Sequence, residues 1–159
     1  MTEHLASNLE IAKEKQATEL QALLDEFKDQ RAVVLGGACT GKSTLVERLA
    51  DAQDMDKLVF PLLTEDEKEY VCQTPWTPEI GEVMTRLTKE RVKVEVGKPV
   101  FGTVVLDADC IIRLKISDDL LRERTVVRGM SYEDAKNMQA YIDEEIVASG
   151  LPVTDFDIG

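Results

Sequence analysis

Along residues 1–30 the apolar positions Leu5, Leu9, Ala12, Leu20, Leu23, Leu24 and Phe27 recur mostly at helical spacing. Ser7 and Glu10 are spaced as a capping box. This pattern predicts an N-terminal helix whose apolar stripe packs on the rest of the chain or on another subunit. The pattern changes at Arg31. Ala32-Val33-Val34-Leu35 is a continuous apolar run closed by Gly36, as suits a strand buried on both faces of a parallel sheet. Ser43–Ala52 follows as a helix, and Lys57–Phe60 as a second strand stopped by Pro61. Thr77-Pro78-Glu79 is a helix start, with threonine at the cap and proline in the first turn. That helix runs to Glu90. Val92–Val96 forms a third strand ending at Gly97, and Cys110–Ile116 a fourth. Asp118–Val127 is helical, Ser131 with Asp134 caps a helix to Val147, and Val153–Ile158 closes as a last strand. Residues 101–108 fall in a connection, because two residues between Asp107 and Cys110 are too few for a parallel crossover. Strands alternating with helices predict an α/β chain with about five parallel strands. The division is a helix over 1–30 and one domain over 31–159.

The candidate chemistry begins where the first strand ends. Gly36-Gly37-Ala38-Cys39-Thr40-Gly41-Lys42-Ser43, followed by Thr44, matches G-x-x-x-x-G-K-[ST] in full, with a strand before it and a helix after it. Glycines let the backbone curl so that successive N–H groups face phosphate oxygens. The following helix turns its positive end towards the same point. In this pattern Lys42 reaches the β- and γ-phosphates and Ser43 offers a hydroxyl to Mg²⁺. The Cys39 thiol is incidental to that chemistry; its backbone amide is what counts.

Charge and composition narrow the partners. The 159 residues carry 19 Lys and Arg against 31 Asp and Glu, a formal net charge of −12. Such a field repels nucleic acid and anionic membrane, so nucleic acid is an unfavoured partner, while a local phosphate pocket remains compatible with it. Three cysteines without a C-x-x-C pair and one histidine, His4, disfavour a zinc site and a histidine-based nucleophile triad. No apolar run approaches a membrane span, and the polar, acidic N-terminus is unlike a signal peptide. The expectation is a cytoplasmic protein with no membrane partner.

A GTPase needs a base-reading N-K-x-D, which this sequence lacks. It also lacks the apolar strand followed by an acidic pair of larger ATP-driven motors. Small kinases remain. Val92-Lys-Val-Glu95-Val-Gly97, followed by Asp109-Cys-Ile-Ile-Arg-Leu-Lys-Ile, resembles the uridine kinase/phosphoribulokinase-like kinases, with the acidic-plus-glycine pair split by Val96. Leu121-Arg122-Glu-Arg124-Thr-Val-Val-Arg128-Gly looks like the lid segment of nucleoside and nucleotide kinases. Gly129–Ala135 and Val153-Thr-Asp155-Phe-Asp157-Ile158 are similar to dephospho-CoA kinase. The resemblance implies a three-layer α/β P-loop kinase core with a lid around 118–147, using ATP and Mg²⁺. It implies that Arg124 and Arg128, four residues apart on one helix face, clamp the phosphates, with Arg122 on another face and structural.

Those families place an acid just after the second strand to take the acceptor's proton, and here that strand runs into Phe60-Pro61-Leu62-Leu63-Thr64. The base is therefore open among Glu65, Asp66, Glu67, Glu95 and Asp107. Glu95, at the end of a predicted strand, is the candidate for catalysis and, with Ser43, for Mg²⁺; its alternative is a structural pair with a lysine or arginine. Trp76 is either packing or a stacking surface for an acceptor ring, and Arg86 and Arg91 are candidate acceptor contacts. The expected function is ATP-Mg-dependent phosphoryl transfer to a small-molecule acceptor: a nucleoside, a nucleotide or a coenzyme precursor. The alternatives are a non-catalytic ATP-binding switch or assembly protein, or a polynucleotide-end kinase. The N-terminal helix is a candidate homodimer contact.

Overall fold

The computed structural model of the chain describes residues 2–73 and 77–159, with side chains described from Glu10 onward. Five strands form one all-parallel sheet: β1 (Ala32–Leu35), β2 (Gln53–Asp54), β3 (Val100–Gly102), β4 (Cys110–Lys115) and β5 (Val153–Asp157), in the order β2-β3-β1-β4-β5. Seven α-helices accompany them among the described residues: α1 (Thr2–Asp25), α2 (Lys42–Arg48), α3 (Met55–Val59), α4 (Glu65–Val71), α5 (Pro78–Arg91), α6 (Asp118–Arg128) and α7 (Tyr132–Ser149).

β1 and β3 are buried throughout, and β4 over Cys110–Ile112, because helices cover both faces. Val33, Leu35, Val100 and Ile111 pack with residues of α3, α4, α5 and α7. Val34, Phe101, Ile112 and Leu114 pack on the other face with α1, α2 and α6. The second half of α1 belongs to this second core: Ala17, Leu20 and Leu24 are buried there, while Ala12 is exposed. Ser7 lies inside α1, which begins at Thr2, so the backbone gives it no cap position. No described helix is long and apolar enough to cross a membrane.

Two helix starts have the expected caps, at Thr77 and Ser131, and Ser117 caps a third. Thr77 accepts from the Ile80 amide at 3.3 Å, Ser117 from Leu120 at 3.2 Å and Ser131 from Asp134 at 3.3 Å. The first, fourth and last strands lie close to their predicted spans.

The second and third strands do not. Lys57–Phe60 belongs to α3 and the 3₁₀ turn Phe60–Leu62. Met55 and Val59 are the buried pair, at i and i+4, and the Asp54 side chain starts the helix by accepting from the Asp56 amide. β2 is the two residues before it. Val92–Val96 does alternate, with Val92 and Val94 buried, but it has no ladder partner. It leads into a turn closed by the Glu95–Lys98 bridge, with Gly97 at φ +76°. β3 is Val100–Gly102, inside what the spacing assigned partly to a connection. Residues 103–109 then cross back without a helix, burying Leu106 and Ala108.

Candidate functional site

β1 is the inner strand from which the chain first builds outwards to β2 and β3 and later to β4 and β5. The carboxyl end of a strand at such a reversal is where open α/β sheets form their crevice. Gly36 begins the loop at this point, its amide donating to the Gly102 carbonyl at 3.2 Å. A Cβ on Gly36 would stand 2.8 Å from the Thr40 hydroxyl and 3.2 Å from Leu114, so the turn tolerates no side chain there. Cys39 and Gly41 both have left-handed backbones, φ +67° and +84°, and alternating handedness of this kind gathers amides into an anion-binding concavity. A non-glycine residue at positive φ costs about 1 kcal/mol or more. The Arg124 guanidinium, 2.8 Å from the Cys39 carbonyl, offsets part of that cost. Thr40 is buried, donating to the Gly37 carbonyl at 2.8 Å.

Lys42 opens α2 and folds its ammonium over the loop, donating to the Gly36 and Gly37 carbonyls, the latter at 2.8 Å. Burial pushes its pKa down to about 8, against the opposing pull of Asp56 and Asp54 and with a further push from Arg128. An ammonium held at that cost is stabilised by any anion that enters.

The loop is the floor of an open cleft of about 1150 Å³. Ala38 to Leu45 form the floor, α6 from Arg122 to Arg128 forms one wall, and Lys13 and Gln16 of α1 form another. Arg124 and Arg128 are brought to the loop together, Arg128 lying 3.8 Å from the Cys39 sulfur. Arg122, at the end of that wall, stacks on the Tyr132 ring at 4.7 Å, joining α6 to α7. Lys136 and Asp118, 2.8 Å apart, make a second tie between the same helices.

The acids do not fall where the strand assignments put them. The turn holding Glu95 lies at the amino end of β1, since the Gly97 amide donates to the Gln30 carbonyl. That is a strand length, about 13 Å, from the loop. Glu95 is exposed and paired with Lys98 at 3.2 Å, so the structure does not bring it to Ser43 or to the loop. Asp107 is at the same remote end, paired with Arg31 at 3.4 Å.

Glu65 and Asp66 are exposed in the first turn of α4. Glu67 completes a capping box with Thr64 and forms a two-bond pair with Arg91, at 3.0 and 2.8 Å. Arg91 is thereby a structural partner, and Arg86 is exposed on α5. Trp76 and the side chains of His4 and Ser7 lie outside the described residues.

The Arg91 guanidinium, with the Thr64 amide, holds the Glu67 carboxyl well down, to about 2. A carboxylate whose folded pKa lies below its ordinary value of 4.5 stabilises the fold above that pH and loses the effect as pH falls towards 2. Glu67→Gln should therefore lower the melting temperature at pH 7, and the difference from wild type should vanish on acidification. Thermal melts across pH 2–7 measure this; a difference unchanged at low pH would contradict it.

Two further acids, Asp54 and Asp56, lie outside the cleft lining and act on the Lys42 charge; neither is among the candidates from the sequence. Asp54 ends β2 and Asp56 sits in the first turn of α3, both within electrostatic reach of Lys42. Lost hydration, then the charge of Asp54, raise the Asp56 carboxyl above its ordinary value, while Lys42 pulls it down. The signal that could have found them is the Asp54-x-Asp56 cap preceding an i, i+4 apolar pair. No group of three or more His, Cys, Asp or Glu gathers into a metal cluster among the described residues. Magnesium, which keeps several waters and takes phosphate oxygens, needs only one or two carboxylates. The Ser43 hydroxyl and the Asp54 carboxylate are oxygen donors of the chemistry it takes.

No protein-family model matches this sequence, and no curated protein sequence matches it.

Proposed function

We propose that this chain binds the phosphates of ATP in the cleft over the Gly36–Thr44 loop and transfers the terminal phosphoryl group to a small-molecule acceptor. One observation carries the reading. In a chain of net charge −12, Lys13, Lys42, Arg122, Arg124 and Arg128 line a single cleft against one acid, Glu123. A low-dielectric floor with loop amides, the N-terminus of α2 and an ammonium destabilised by burial is built for a polyanion.

When bound, the nucleotide supplies the transferable group and magnesium supplies charge neutralisation. The chain's own contribution is positioning and electrostatics. Lys42 and the loop amides would fix the phosphates, Ser43 with Asp54 would hold the metal, and Arg124 and Arg128 would face the transferring group. Asp56, with its raised affinity for a proton, is the candidate to accept the one lost by an acceptor hydroxyl. This role passes to it from the loop at 65–67 and from Glu95.

The test is incubation with γ-labelled ATP and Mg²⁺ against pooled nucleosides, nucleotides and coenzyme precursors. The expected result is a labelled product that falls at least about tenfold with Asp56→Asn while ATP affinity is largely kept. ATP binding with no product from any pool would replace transfer with a non-catalytic nucleotide-binding role.

A further inference from the structure

The cleft has more room and more wall than phosphates require, and the additional wall is α1. Its volume is that of a site for a drug-sized molecule. The lining from Ala38 to Thr44, with Arg124 and Arg128, accounts for the anion. Lys13 and Gln16, one helical turn apart on α1, line the same cleft with different chemistry. Across from them on α6, Val126 and Val127 also line it and are 79% and 85% exposed. An ammonium, an amide and two bare valines make a poor phosphate cradle and a good surface for a flat heterocycle.

The amide has a defined orientation. Gln16 Nε2 donates to the Ile158 carbonyl at 3.1 Å. A carbonyl can only accept, so the NH₂ end is committed there and Oε1 is left as an acceptor. Among the described residues Lys13 is held by Glu10 alone, at 3.7 Å in an exposed pair worth little, which leaves N–H groups to donate. The helix itself is fixed. Ala17, Leu20 and Leu24 anchor its second half in the core, the Ala50 amide donates to Gln21 at 2.9 Å, and Arg48 at the end of α2 pairs with Glu10 and Glu14.

We propose that α1 forms the nucleoside side of the cleft. Gln16 Oε1 accepts an N–H from the edge of a purine base, Lys13 donates to a neighbouring ring nitrogen or carbonyl, and the base covers Val126 and Val127. This rests on the nucleotide reading of the cleft and adds to it the residues that hold the end remote from the phosphates.

The experiment is titration calorimetry with ATP, GTP and inorganic tripolyphosphate on wild type, Lys13→Met, Gln16→Met and Lys42→Ala. Melting temperatures verify that each variant is folded. The exposed Lys13 carries no packing role, so it keeps the test open should Gln16→Met be unstable. The expected result is roughly a tenfold loss of affinity for at least one purine nucleotide in each α1 variant, with tripolyphosphate unchanged. Lys42→Ala should weaken all three ligands. Equal losses for nucleotide and tripolyphosphate would overturn the proposal by making Lys13 a phosphate contact. Unchanged nucleotide affinity in both α1 variants, with Lys42 dependence retained, would overturn it alone and leave the phosphate reading standing. Binding of none of the ligands to wild type would overturn both.

Discussion

Lys42→Ala is expected to reduce phosphoryl transfer and triphosphate affinity by at least about a hundredfold, with the fold intact. The ammonium is the charge over the loop that burial has made costliest, its pKa pushed down to about 8 from an ordinary 10.5. A bound phosphate would raise that pKa again, so binding should take up protons near pH 8. Affinity should be highest below pH 8 and fall by up to about tenfold per unit above it. Calorimetry at pH 8 in two buffers of different ionisation heat reads the uptake directly, and Lys42→Ala should remove it. Stability carries the opposite signature. The folded state holds Lys42 neutral more readily than the unfolded chain does, so stability rises with pH between about 8 and 10.5. The alanine variant should lose that rise and should melt no lower than wild type at pH 7. Retained turnover in it would remove the loop from the chemistry.

Gly102→Ala should have the largest effect on stability, about 1–3 kcal/mol. A Cβ at this position would stand 2.6–2.7 Å from the sulfur, Cβ and Cε of Met55. The methionine tip can swing away, but its Cβ is fixed to the backbone of α3. The start of that helix must therefore move. Asp54 and Asp56 flank Met55, so the same displacement takes both carboxylates out of register with Lys42. Gly102→Ala should thus lose activity beyond what its lower stability explains. Adding Met55→Ala should restore only part of the stability, because the Cβ contact survives that change. Denaturant melts with turnover measured at a temperature where both proteins are folded separate the two effects. A variant as stable as wild type would show that α3 yields freely.

These variants also mark what local sequence can disclose. The capped starts at Thr77 and Ser131 and the apolar runs of β1 and β4 are set by neighbours within a few residues. They were legible. Lys57–Phe60 was not, because four consecutive apolar or amphipathic residues fit a strand or a helical turn equally well. The helix that contains most of it opens at Met55, which packs against Gly102, a residue distant in sequence. The error then propagated. A strand at Lys57–Phe60 directs attention to the acids at Glu65–Glu67, whereas β2 ends earlier, at Asp54, with Asp56 beyond it. Glu95 suffered the reverse error. Its valines alternate as in a strand, but no neighbouring strand accepts them, and the segment runs to the opposite end of the sheet. Strand direction and partner are tertiary facts, and residues at strand ends inherit any mistake in them.

The position of β1 has a kinetic consequence. It is the inner strand, and both of its neighbours, β3 and β4, come from the second half of the sequence. Parallel pairing of this kind closes long loops before it gains contacts, which slows folding. The Gly36–Thr44 loop therefore cannot acquire its final shape when its own residues first become available. It waits for Arg124, 85 positions on from Cys39, and the wall of the cleft waits for Ile158, 142 positions on from Gln16. During refolding, competence to bind nucleotide should be the last property to return, after helix content and after burial of the β1 side chains. An added triphosphate would then speed no early phase and would instead trap the final one.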